Sequence, residues 1–86
     1  MEQLAGVLDK IRVIKYDPLM IRFTLTTIYK PYYCIVAKKE LATKILMLED
    51  GKYNVVIEGC YNGRNQLIVS LFTVRNPDHI TKLIGF

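Results

Sequence analysis

Three consecutive pieces of sequence decide the fold: YYCIVA at residues 32–37, KELATKILMLED at 39–50 and YNVVIEGCY at 53–61. The first and last are short, rich in Tyr, Val and Ile, and bounded by turn residues, as strands are. In the middle piece Leu41, Ala42, Ile45, Leu46 and Leu48 recur at helical spacing from Lys39 to Glu49, and Asp50-Gly51 supplies a stop. A single helix between the third and fourth strands of a small all-β chain predicts a barrel with the helix plugging one end.

The flanking segments supply the other strands. LAGVLDKIRVIKY at 4–16 mixes apolar and basic positions at near-alternating spacing and meets the turn signal Asp17-Pro18. Gly6 would let this first strand bend or pack closely. MIRFTLTTI at 20–28 alternates most cleanly, with Ile21, Phe23, Leu25 and Thr27 on one face and Arg22, Thr24, Thr26 and Ile28 on the other. Tyr29, Lys30 and Pro31 mark a loop. The strand at 32–37 is apolar on both faces, so its phase stays open, with one of Tyr32 and Tyr33 inward and the other outward. Residues 53–61 and 66–74 form a hairpin around Asn62-Gly63-Arg64-Asn65. In NPDHITKLIGF, Asn76 as cap and Pro77 at the first helical position start a C-terminal helix with Ile80, Leu83 and Ile84 on one side. The predicted fold is mainly β, a single domain over residues 1–86. It is a five-stranded oligonucleotide/oligosaccharide-binding (OB) barrel with one helix between strands 3 and 4 and a short C-terminal helix.

Composition bounds the rest. A chain of 86 residues buries only about 60 to 65% of its unfolded surface. Hydrophobic residues make up 51% and charged residues 23%, which excludes a disordered chain. So high an apolar fraction predicts a second buried surface, most simply between copies in a dimer or tetramer. The net charge of +4 suits a polyanionic partner. Lys38-Lys39 is the only adjacent basic pair, so any basic patch must be assembled by folding. Cys34 and Cys60 lie inside apolar strand patterns and read as small buried hydrophobes. MEQLAGVLDK lacks the basic start and apolar run of a signal peptide, and no apolar stretch is long enough for a membrane span. The expectation is a cytoplasmic protein without a membrane partner.

The segments YYCIVAKKELATKIL at 32–46 and YNVVIEGCYNGR at 53–64 carry a family resemblance. They resemble the aromatic-led third strand, "KLA"-like helix start and "V-x-V-E-G-x-L-x-x-R" fourth strand of the bacterial-type single-stranded DNA-binding protein family. Leu41-Ala42, Glu58-Gly59 and Arg64 fall at the matching places. The similarity extends weakly over Leu4 to Val74. It implies that Tyr32 stacks on a base, that Lys38 stands where the family often has a second stacking aromatic, and that Tyr61 to Arg64 begin a hairpin that wraps the strand. The chain departs from the family in having no Trp, a short hairpin after strand four and an apolar LIGF ending in place of an acidic tail. These departures imply a specialised relative, of phage or mobile-element type.

Single strands are held by cations on phosphates and by flat π-faces on which bases stack. Strands one to three offer Lys10, Arg12, Arg22, Thr24, Thr26, Tyr32 and Lys38 for this, with Tyr29, Tyr61 and Arg64 at the rims. Catalysis is not expected. His79 is the only histidine and has no Ser or Cys near it in sequence. Glu40, Glu49, Asp50 and Glu58 show neither metal-ligand nor paired acid/base spacing, and no phosphate-cradling glycine motif occurs. No cofactor, metal or small-molecule substrate is expected. The leading expectation is single-stranded DNA binding with little sequence preference, in replication, recombination or repair. The rivals are an accessory subunit of a replication polymerase, primase or helicase acting through protein contacts, and an RNA-binding barrel.

Overall fold

The computed structural model describes every residue from Met1 to Phe86. Its elements are β1 (Glu2–Tyr16), β2 (Leu19–Thr26), β3 (Pro31–Val36), α1 (Lys39–Ile45), β4 (Asn54–Tyr61), β5 (Leu67–Val74) and α2 (His79–Ile84). The strands close into a barrel in the order β1-β2-β3-β5-β4. Every neighbouring pair is antiparallel except β3 with β5, which run parallel through Cys34 and Ile35. This is the expected OB barrel, with α1 between β3 and β4 and a short C-terminal helix.

Closure depends on β1 serving two neighbours. Its residues 2–7 pair with β4 and residues 7–16 with β2. At the crossing the backbones approach so closely that a Cβ on Gly6 would lie 2.5 Å from the Thr26 carbonyl oxygen. A side chain there would force the strands apart, so of the bending and close packing expected at Gly6 it is the close packing that the fold requires.

Of three register shifts, one lying between Val13 and Lys15 near the end of β1, the other two set which side chains face in. On β1, Asp9 pairs with Thr24 but the next pair is Arg12 with Arg22, so β1 carries one extra residue. Leu4 and Leu8 pack inward before the bulge, and Ile11 and Val13 pack against the core after it. Lys10 absorbs the shift with a φ of 51°. The turn after α1 clips onto this site, because Asp50 Oδ1 accepts the Ile11 N–H at 2.9 Å and Gly51 N–H donates to the Leu8 carbonyl at 2.8 Å. On β5 the phase shifts at Ser70, so Leu67 and Val69 face in before it and Phe72 and Val74 after it. Opposite that shift, a Cβ on Gly59 would collide with the Ile68 carbonyl.

The core joins Ile21, Phe23 and Leu25 of β2 to Cys34 and Val36 of β3, Val55 and Ile57 of β4, and Ala42 and Ile45 of α1. Cys34 is fully buried, and desolvation pushes its thiol up to about 12 against one backbone hydrogen bond that lowers it.

Several boundaries differ from the sequence expectations. The helix ends at Ile45, and Met47 N–H and Leu48 N–H bond three residues back, a tightened turn that still buries Leu48. Strand β2 ends at Thr26. Thr27 does not face the core: its hydroxyl donates to the Lys30 carbonyl at 2.8 Å and accepts from the Tyr29 and Lys30 N–H groups, which makes a hydroxyl-closed turn. Ile28 is 91% exposed on that turn. Asp78, not Asn76, caps α2, in a reciprocal capping box with Thr81. Asn76 instead accepts the Asn54 N–H at 2.6 Å. The face of α2 turned to the barrel carries Thr81 and Ile84, so Ile80 and Leu83 are exposed. Cys60 is exposed because Val55, Ile57 and Gly59 take the inward phase of β4.

Candidate nucleic-acid interface

The outer face of β1, β2 and β3 carries a cleft of about 340 Å³. The alternation of β2 puts Arg22 and Thr24 on that face while Ile21, Phe23 and Leu25 go to the core. The bulge in β1 brings Lys10 and Arg12 to the same face. Without it, the strict alternation from Leu8 would turn both cations inward. Across β2, Thr24 pairs with Tyr33 and Arg22 with Ile35. The cleft is therefore lined by Lys10, Arg12, Arg22, Thr24, Tyr33 and Ile35, with Gln66 reaching in from the start of β5.

Its electrostatics are one-sided. Arg12 and Arg22 are direct cross-strand partners, and like charges so placed destabilise a sheet. Arg12 is partly compensated by Asp50, 3.4 Å away, in a pair whose two side chains are both open to solvent. Such exposed pairs exchange readily for another anion. Neither Lys10 nor Arg22 has an ion-pair partner. The one carboxylate in the row, Asp9, accepts the Lys10 backbone N–H at 2.9 Å and leaves the ammonium unpaired.

The other expected contact residues fall elsewhere. Thr26, Tyr29 and Tyr32 line a second, shallower groove of about 880 Å³ beside the first half of β1, with Arg75 on its edge. Tyr29 is 86% exposed there. Tyr32 has the inward phase of β3: it is partly buried against the core, with the Lys30 ammonium 5.0 Å from its ring centre. Lys38 sits at the start of α1, donates to the Ser70 carbonyl at 3.0 Å and lines a third groove. Tyr61 is half-buried at the barrel end near Tyr32 and Glu2, and desolvation raises its hydroxyl above the usual value. Arg64 is exposed in the β4–β5 turn, where its N–H donates to Asn62 Oδ1 at 2.8 Å.

Tyr33 is the aromatic on the cationic face, 59% exposed and opposite Thr24. The sequence left the choice between it and Tyr32 open, because both faces of β3 are apolar. Pairing β3 against the unambiguous β2 settles it. No protein-family model and no curated protein matches this chain, so the family resemblance rests on the quoted residues and on the barrel that they build.

Proposed function

We propose that this chain binds single-stranded DNA with little sequence preference, through the outer face of β1, β2 and β3. The observation that carries the reading is the cross-strand pair Arg12–Arg22 with Lys10 and Tyr33 in the same cleft. A like-charge pair costs folding stability in the free protein and is relieved when a phosphate lies between the cations. Tyr33 supplies a π-face of the kind on which any base stacks. Thr26, Tyr29 and Tyr32 extend the path into the neighbouring groove. In this reading the chain is a reduced, specialised relative of the bacterial-type single-stranded DNA-binding proteins, working in replication, recombination or repair.

Fluorescence anisotropy with labelled oligo(dT) at increasing salt tests it. Three cations predict a log–log salt slope of about −2. Arg22→Ala should flatten that slope by about 0.7, and Tyr33→Ala should cost about 1 to 3 kcal/mol of binding. Absence of saturable binding at low salt would sink the proposal. A second reading, docking of another copy or of a replication protein, is favoured by the exposed Ile28, Leu71 and Leu83. Light scattering after size exclusion, with and without oligo(dT), reports both: docking of another copy gives assembly without DNA, and strand binding gives a mass increase only when oligo(dT) is present.

A further inference from the structure

The third groove contains a strand edge. From Val69 to Val74, β5 pairs with β4 alone, since its parallel pairing with β3 stops at Ile68. The space that a next strand would fill is a groove of about 570 Å³ between this edge and α1. Leu41, Leu71 and Phe86 give it an apolar lining, and Lys38, Lys39 and Lys44 give it positive charge against the single acid Glu40. The Lys38 ammonium, 3.0 Å from the Ser70 carbonyl, occupies the place of a neighbouring strand's backbone donor.

An unpaired edge is a template for another extended segment, and a lysine on it guards against indiscriminate pairing. Guarding explains Lys38 alone. Lys44 holds its ammonium 5.8 Å from the Phe86 ring centre, but neither guarding nor that contact accounts for Lys39 or for Leu71, which is left 56% exposed. Alternate side chains of an added strand point to opposite sides. A segment alternating carboxylates with apolar residues would satisfy the lysines, the lining and the backbone edge together.

We infer that this groove docks an extended acidic segment of a partner protein by strand addition to β5. The incoming backbone takes over the Ser70 carbonyl, and Lys38 turns to a carboxylate of the segment. A DNA strand fits less well, because the groove lacks an exposed aromatic face: Phe72 is buried and Phe86 half-buried against it, with ring centres 5.2 Å apart. The groove shares no residue with the cleft of Lys10 and Arg22, so this inference stands independently of the DNA-binding proposal.

The test is a titration of the whole chain with a fluorescein-labelled peptide of alternating Asp and Ile, alongside a control peptide with Lys in place of Asp. Saturable binding of the acidic peptide only is expected. The double variant K38E/K39E, both positions being exposed, should weaken it about tenfold, and Arg22→Ala should leave it unchanged. Amide chemical shifts should move at Ser70 to Thr73 and stay still at Arg22 and Thr24. Three results would each overturn the inference: no saturable binding, equal binding of the Lys peptide, or shifts confined to the β1–β3 face. So would oligo(dT) moving the Ser70–Thr73 amides while the acidic peptide fails to compete.

Discussion

Arg12 faces Arg22 directly across a strand pair, an arrangement of like charges that weakens a sheet. Its presence makes sense where an anion completes the pair. The two adjacent tyrosines divide the remaining work. Tyr33 stands outside with the cations, and Tyr32 fills the barrel end against the core. Tyr32→Ala should therefore lower unfolding stability by about 1 to 3 kcal/mol in urea denaturation, whereas Tyr33→Ala should change it by no more than about 0.5 kcal/mol. Equal destabilisation by the two would contradict the assigned phase. Here the sequence was only half informative. Arg22 and Thr24 declare their face through the alternation of β2, but YYCIV is apolar at every position, and only its pairing with β2 reveals which tyrosine looks outward.

At the scale of elements, the β1 bulge positions the cleft. Lys10 adopts a left-handed conformation that costs a non-glycine residue about 1 to 2 kcal/mol, and Asp50 and Gly51 hold the strand around it. Lys10→Gly relieves that strain at some cost in chain entropy, so urea denaturation should show a change within about 1 kcal/mol on the stabilising side. The same variant should flatten the salt dependence of oligo(dT) binding by about 0.7 of a unit of slope. A Lys10→Gly protein that is clearly less stable would contradict the bulge. Every strand and both helices were legible in the sequence, because alternation and helical spacing report local burial directly. The bulges at Lys10 and Ser70 were not. Each is a register shift, visible only when two strands are laid side by side, and each decides the side chains that follow it. The cap of α2 was missed for a related reason: Asn76 has the right chemistry, but the start of β4 takes its side chain.

The whole molecule is tied at its C-terminal end by Asp78. This carboxylate accepts from Lys52 Nζ and the Tyr53 hydroxyl, each at 2.8 Å, and from the Thr81 N–H at 3.0 Å, so it joins α2 to the start of β4. The Lys52 ammonium first, and the Thr81 N–H second, hold its carboxyl well below the usual carboxylate range. A depressed folded-state value means that this contribution is complete above the ordinary value of about 4 and is lost as pH falls below it. Thermal melts should accordingly show an acid limb below about pH 4 that Asp78→Asn makes shallower, since asparagine still caps the helix but no longer titrates. An unchanged acid limb in that variant would place the responsible carboxylate elsewhere. On the barrel so held, the cationic cleft of β1–β3 and the groove of β5 are separate surfaces that share no lining residue. The most direct test of the proposed DNA-binding role of the β1–β3 face is photo-crosslinking of the protein to a single-stranded oligonucleotide carrying 5-iodouracil, followed by mass spectrometry of the adduct. The account predicts that Tyr33 carries the crosslink and that Arg22→Ala reduces its yield. A crosslink confined to residues of the α1–β5 groove, or no crosslink at low salt, would contradict it.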